Sequence, residues 1–408
     1  MGEAPSIPAR SVSFARYWCA AAISSFGTAV TAVAMPVLVV RTLALSPVHV
    51  GVVNAAQFLP YAVLGLLAGV YVDRWRRRPV LVWASVGRAA TLGAIPLLWV
   101  LGALPVWALV VLLLLFGTFS VFGFAATQSL LPRIVPASGL VTANARLDQT
   151  DTAAQMLGPV VGGGLVGLLG APVAIAVDAA SYVVDAALNA GLRVEEPRSP
   201  TTGRHHLGRE IREGLGWLYG HRILGPLTVS THVWFLANSA SVTALALIVL
   251  RTLGLSSLVY SLLLTTSGLA GLVGATLAPR IGRCWGSGPT IIAARAAYPL
   301  AWLVVALTLS SSAGVPALFA ALGVHGLAAG LENAHEMSLR QSVTPDGLLG
   351  RVNATGRSAN RTVAVAGSLL GGTAVALAGD RATVVAVAVV FGIAALVVAL
   401  SPLRTQPA

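Results

Sequence analysis

No lysine occurs in this chain, so all 26 of its basic residues are arginine. That absence excludes chemistry that depends on the lysine ammonium. A Walker A loop needs its lysine on the β- and γ-phosphates, so the chain is not an ATP-hydrolysing motor. A Schiff base to pyridoxal phosphate is excluded on the same ground. Charge of either sign is also scarce. Charged residues make up 10% of the chain, against roughly 25% in a soluble domain. With 56% of its residues hydrophobic, the chain has too little charged surface to dissolve a 408-residue protein in water. Cysteine is confined to Cys19 and Cys284, which implies no disulfide framework. The net charge of +12 would in another setting suggest nucleic acid. Here the arginines fall in short polar stretches between apolar runs, where they read as topology determinants, and no nucleic-acid partner is expected.

What is present in quantity is long apolar runs. A helix that spans a bilayer takes about 20 mostly apolar residues. Twelve such runs lie at 17–40, 47–71, 79–101, 106–131, 141–168, 172–192, 223–250, 256–278, 289–309, 315–338, 348–378 and 382–402. Arg10 and Arg16 ahead of the first run resemble the start of a signal peptide, but that run is too long for a cleaved h-region. With the N-terminus inside, the cytoplasmic stretches hold nearly all the arginines, and the opposite side holds Arg41, Arg251 and Arg381. Both termini are therefore expected in the cytoplasm, with the chain crossing the cell (inner) membrane and the lipid bilayer as its solvent.

The longest polar stretch separates six runs from six. The expected organisation is a six-helix bundle at 1–192, a cytoplasmic linker at 193–222, and a second bundle with a short tail at 223–408. Leu207, Ile211, Leu215 and Leu218 recur at helical spacing in the linker, which predicts a short amphipathic helix on the membrane surface. The two halves also repeat each other. Pro136 to Ala145 matches Pro345 to Ala354, and Gly158-Pro-Val-Val-Gly162-Gly163 falls on Gly367-Ser-Leu-Leu-Gly371-Gly372 at the same offset. Arg88-Ala-Ala falls on Arg295-Ala-Ala at nearly that offset.

Between runs two and three stands Gly69-Val-Tyr-Val-Asp73-Arg74-Trp-Arg-Arg77-Arg78. It resembles the major facilitator signature G-x-x-x-D-R-x-x-R-R, with Arg76 where a glycine is usual. Gly158-Pro159-x-x-Gly162-Gly163 in run five is similar to the antiporter signature of that superfamily. Leu131-Pro-Arg-Ile-Val-Pro136, Asp178-Ala-Ala-Ser-Tyr182 and Leu349-Gly-Arg-Val-Asn353 match text of its macrolide-efflux and enterobactin-exporter-like subgroup. The resemblance implies an all-α membrane protein of twelve helices in two pseudo-symmetric six-helix bundles. It implies that Gly69, Asp73, Arg74, Arg77 and Arg78 form a cytoplasmic gate, with Asp73 facing the start of run eleven near Leu348. In the second half the equivalent stretch, Gly274 to Arg283, has no aspartate. The proline of the antiporter signature bends a helix and its glycines permit close packing.

Ionisable groups at membrane depth are costly to insert. His325, Glu332 and Glu336 on run ten are spaced seven and four apart, which places them on one helix face. The resemblance implies that runs one, four, seven and ten line a central cavity. Glu332, His325 and Glu336 are thus proton-coupling candidates, followed by Asp148 and Asp151 near the start of run five. Along its own helix face Glu332 meets one potential cation, His325. Arg88 and Arg295 are expected to snorkel or to pair with a carboxylate. Asp178 and Asp185 read as structural, with Arg88 a candidate partner. Phe116 and Phe119 on run four, with His232, Trp234 and Asn238 on run seven, are candidates for an apolar substrate surface.

Enzyme signatures fail. His335-Glu336 lacks the second histidine of H-E-x-x-H because position 339 is leucine, and Gly282-Arg-Cys-Trp-Gly286 mimics a nucleophile elbow with no supporting base. No cofactor and no metal are expected. The reading is a secondary active transporter, a proton-coupled antiporter that exports a hydrophobic or drug-like small organic molecule as a monomer. An importer of a small metabolite on the same fold is the alternative.

Overall fold

A computed structural model describes residues 12–194 and 207–405, and every structural statement below concerns those residues. The linker positions 195–206 lie outside them. The chain is all-helical. Its helices are α1 (Val12–Val37), α2 (Pro47–Arg74), α3 (Arg77–Val100), α4 (Val106–Ile134), α5 (Leu140–Leu169), α6 (Ala171–Ala190), α7 (Leu207–Gly220), α8 (Leu224–Leu247), α9 (Ser257–Trp285), α10 (Ser287–Thr308), α11 (Gly314–Val343) and α12 (Asp346–Ala399). Eleven of them, all but α7, are long and apolar enough to cross a membrane. The last is two spans in one, because Gly379 (φ 77°, ψ 174°) breaks its helical path. That backbone conformation is open to glycine and strained for other residues. Counting both parts of α12 gives the twelve spans read from the apolar runs.

The halves repeat in backbone detail. Both α1 and α8 end in a five-residue π-turn, Leu38–Thr42 and Ile248–Thr252. In each the chain closes with the same long-period hydrogen bond, from the Leu43 amide to the Leu38 carbonyl and from the Leu253 amide to the Ile248 carbonyl. Each π-turn is followed by one left-handed residue, Ala44 or Gly254. Gly170 separates α5 from α6 with the same kind of backbone that Gly379 gives inside α12.

The chain forms two compact units. The first comprises Met1–Leu43, Leu59–Gly203 and Ser256–Ser261, and the second Ala44–Phe58, Arg204–Leu255 and Leu262–Ala408. The start of α2 thus clusters with the second unit and the start of α9 with the first, an exchange that a division at the linker does not contain. Each unit has an apolar core near its arginine-rich end. Phe14, Tyr17, Val72, Leu81, Leu130 and Leu192 form the first, and Leu218, Leu224, Leu227, Ile291, Val352 and Leu403 the second. Large apolar side chains also cover the outside, among them Trp83, Trp107, Leu168 and Leu377. A membrane helix facing hydrocarbon needs no polar cover.

The short linker helix α7 packs into the second unit through Leu218, and Glu213 pairs with Arg351 of α12 at 2.9 Å. It also meets α8, where the Tyr219 hydroxyl lies 2.6 Å from His232 Nε2.

Glycine sets how closely the helices approach. A Cβ on Gly158 or Gly162 of α5 would run into Ala29 or Val30 of α1, and one on Gly367 or Gly371 of α12 into Leu236 to Ala240 of α8. Both glycine signatures therefore seat their helix on the first span of their own half. Gly163 packs on Ser261 of α9 within the first unit, and Gly372 on Gly51 of α2 within the second. A Cβ on Gly371 would stand 2.7 Å from the Ala240 carbonyl oxygen, whereas one on Gly164 meets nothing within 4 Å. Gly371→Ala is expected to cost about 1–3 kcal/mol through overpacking, and Gly164→Ala to be near neutral. Paired thermal unfolding of the two variants in detergent checks this; equal melting temperatures would refute the packing role.

Candidate functional site

The densest group of buried charge lies in the second unit, where α8, α10 and α11 meet. Arg295 of α10 is 1% exposed, Glu332 5% and Glu336 8%. Arginine suits this position because its guanidinium stays charged and offers five donors in a planar fork. Its Nε lies 2.8 Å from Glu332 Oε2 and its Nη2 3.2 Å from Glu336 Oε2. The same guanidinium donates to the Ser230 carbonyl at 3.2 Å and to Thr231 Oγ1 at 3.0 Å. Glu336 also accepts from Arg340, one turn further along α11, at 2.5 Å, and from Thr231 Oγ1 at 3.2 Å.

The two carboxylates are held differently. Glu336 is fixed by two arginines and a hydroxyl. Glu332 has one arginine, Arg295, at 2.8 Å and the Tyr298 hydroxyl beside it. The hydroxyl of Tyr298 and the indole nitrogen of Trp234 are buried beside Glu332. The Arg295 guanidinium sits 5.8 Å from the Trp234 ring. Sequence spacing does place Glu332 and Glu336 together, on a face that turns to α10 and α8. The fixed cation there is Arg295, which corrects the expectation that His325 is the one potential cation beside Glu332. Spacing along one helix does not show a partner supplied by another, although Arg295 is marked in the sequence as an intramembrane arginine at the position of the repeat that Arg88 holds in the first half.

His325 belongs to an aromatic cluster instead. Its ring lies 4.7 Å from Tyr298, 5.8 Å from Phe391 and 6.2 Å from Trp234. Its Nδ1 accepts a bond from the Trp302 indole at 3.3 Å, which leaves Nε2 to carry the proton. Trp234 packs edge-on to Tyr298. Asn238 is half-buried on the same helix, and His232 Nδ1 lies 2.6 Å from Asn360 Oδ1. In the first unit Phe116 packs on Tyr182 at 5.9 Å and Phe119 against Gly87 of α3. The two phenylalanines thus have partners inside their own bundle.

A second buried charge group lies between α1, α3 and α6. Arg88 is 3.6 Å from Asp185 and stacks over the Tyr182 ring at 4.4 Å. Asp185 accepts from Ser85 and from Asn189. Asp178 accepts from Thr31 Oγ1 at 2.5 Å and from Ser181 Oγ at 3.1 Å.

Asp148 and Asp151 are exposed, and Gln155 bonds to Asp151 at 2.6 Å. Because α5 begins at Leu140, Asp148 stands two turns inside the helix, and the dipole of the first turn does not reach it. Of the gate residues, Gly69, Asp73 and Arg74 lie in the last turns of α2, and their side chains fall outside the described ones. Arg77 is buried at the start of α3. Arg78 donates to the Ala190 carbonyl and Arg16 to the Gly191 carbonyl at 2.6 Å, so both satisfy the exposed C-terminus of α6. Among the described residues no group of histidine, cysteine or carboxylates could hold a metal ion.

Twelve spans in two repeating halves, with charge buried inside each, define a major facilitator transporter, and solved structures agree. The chain superposes on a mutant of the nucleoside transporter NupG with a TM-score of 0.81 at 11% identity, covering 95% of this chain and 98% of that one. A bacterial homologue of the iron transporter ferroportin matches with a TM-score of 0.70 at 17% identity over 94% and 98%. More narrowly, residues 3–408 match the family described as transmembrane secretion effector, and the chain belongs to that family. It is 27% identical to the uncharacterized MFS-type transporter y4rN of Sinorhizobium fredii over 89% of this chain and 87% of the relative. It is 29% identical to the multidrug efflux pump Tap of Mycobacterium tuberculosis over 54% and 53%. Macrolide efflux protein A of Streptococcus pyogenes is 26% identical over 40% of each. The protein is a multi-pass membrane transporter for a small molecule, not an enzyme.

Proposed function

We propose that this transporter is a proton-coupled antiporter that exports hydrophobic or drug-like organic molecules from the cytoplasm. The observation that supports the reading is Glu332, an acid buried within a membrane span beside Arg295 and the Tyr298 hydroxyl. Proton coupling needs a group that is charged in one state and neutral in another. Glu336 is instead clamped between Arg295 and Arg340 and accepts from Thr231. Protonating Glu332 disturbs one pair and leaves Arg295 bound to Glu336 and Thr231. Half-buried aromatic side chains on α4 and α8 favour an apolar cargo over a multiply charged one. Relatives named as a multidrug efflux pump and a macrolide efflux protein support export. Import of a small metabolite is the second reading, favoured by the likeness in fold to a nucleoside transporter.

Inside-out membrane vesicles with an imposed inward-acid pH gradient distinguish the two. Export predicts that ethidium or erythromycin accumulates in the lumen and that an uncoupler collapses the gradient of drug. Accumulation confined to right-side-out vesicles would favour import. The orientation is tested separately. The arginine-rich ends are taken as cytoplasmic, so a reporter active only in the cytoplasm should give signal at Leu207 and none at Pro172; the reverse pattern would overturn the topology.

A further inference from the structure

We infer that the first unit holds a second proton-binding site, the carboxyl of Asp178, distinct from Glu332. The inference rests on the proton-coupled reading above. Asp178 is fully buried in α6, seven residues from its start at Ala171, which is about 10 Å along the helix axis. The contact between α1 and α6 is shaped around it: a Cβ on Gly27 would stand 2.3 Å from Asp178 Oδ1 and 2.3 Å from Ser181 Oγ. Only glycine leaves room for the carboxyl there.

Charge counting separates this site from the one in the second unit. There, two arginines face two glutamates, and the group is neutral with both acids ionised. In the first unit, Arg88 faces both Asp185 and Asp178. It lies at 3.6 Å from Asp185 and above the Tyr182 ring. Among the described residues no arginine lies within ion-pair distance of Asp178, whose field partner is Arg88 alone. The other cations on the elements packed around α6 lie away from Asp178: Arg16 of α1 and Arg78 of α3 donate to the Gly191 and Ala190 carbonyls at the far end of α6, Arg77 is buried at the start of α3, Arg146 of α5 is half-buried near the start of that helix, and Arg41 is exposed in the π-turn after α1. Of the remaining titratable groups, Tyr17 on α1 is a phenol, Tyr182 on α6 hydrogen-bonds Thr28 at 2.7 Å, and Asp148 and Asp151 on α5 are exposed acids. With both aspartates ionised the buried group carries one uncompensated negative charge, which is expensive away from water. One bound proton restores balance.

The chemistry needs nothing further. The Asp178 carboxylate takes up a proton, one O–H bond forms, and the neutral acid donates to Thr31 or Ser181. Hydroxyls donate or accept as the carboxyl requires, so the site suits both protonation states. Thr31 is half-buried and Thr28, one turn away, is exposed, which gives the proton a short route along α1.

The test is an infrared pH titration of the full-length protein in lipid nanodiscs, read at the carbonyl stretch of protonated carboxylic acids, with and without ethidium. Asp178→Asn is expected to lose one such band, which in the wild type vanishes on raising pH and responds to ethidium. Proton release per ethidium bound should fall by one in this variant. If Asp178→Asn does not fold, Thr31→Val keeps the acid, removes one hydroxyl, and is expected to shift the pH at which the band vanishes. Absence of the Asp178 band at every pH overturns the site, and so does a band insensitive to both pH and ethidium. Glu332→Gln is the control: it should remove a different band. If it leaves pH-driven efflux intact while the Asp178 band still responds to ethidium, the assignment at Glu332 fails and the site at Asp178 stands.

Discussion

Glu332→Gln is expected to abolish accumulation of drug against a gradient while leaving binding and downhill exchange in place. A pH difference of one unit supplies about 1.4 kcal/mol per proton, which sustains roughly tenfold accumulation of a neutral cargo exchanged for one proton. Glutamine is neutral at every pH, so the ratio should fall to about one in the variant. The side chain keeps its size, and Arg295 keeps Glu336, Thr231 and the Ser230 carbonyl, so the bundle should remain folded. Counterflow of labelled ethidium across proteoliposomes separates coupling from binding. Loss of counterflow together with accumulation would mean that Glu332 binds the cargo itself. Full pH-driven efflux by the variant would contradict both roles.

The second large effect is expected at Arg295. Arg295→Leu leaves Glu332 and Glu336 in the bundle interior with Arg340 as their remaining cation, and Arg340 reaches only Glu336. Removing one partner of a buried ion pair costs about 3–5 kcal/mol. We expect a sharp fall in the amount of folded protein in the membrane and a lower melting temperature in detergent. The double variant Arg295→Leu with Glu332→Gln removes the uncompensated charge and should recover much of the loss, because residues in one network are coupled. Equal destabilisation in the single and double variants would refute the pairing as the cause.

The spans were legible because their apolar runs are long and the polar stretches between them short. The run boundary between 378 and 382 falls on the break at Gly379, and the linker helix was visible in the spacing of its leucines. The repeat was legible from the glycine signatures, whose structural meaning is the same seat on α1 and on α8. Two features were not. The two π-turns follow from i→i+5 hydrogen bonds that no residue type announces. The Arg295–Glu332 pair joins residues 37 positions apart on different helices, and helical spacing relates only neighbours on one helix. The aromatic residues of α4 and α8 read as a cargo surface, and Phe116, Phe119 and Trp234 are half-buried and also touch Tyr182, Gly87 and Tyr298. Sequence shows that a stripe exists; which way it turns depends on the neighbouring helices.

On the proposed function, cargo and protons move in opposite directions through one coupled cycle. The most direct measurement uses proteoliposomes with purified protein, no imposed pH gradient, and a pH-sensitive dye trapped inside. Ethidium is added outside at a concentration that creates an inward drug gradient. Its entry is expected to drive protons out and make the lumen alkaline, and Glu332→Gln to suppress this change without stopping drug entry. Drug entry by the wild-type protein with no change in luminal pH, or with acidification, would contradict proton antiport.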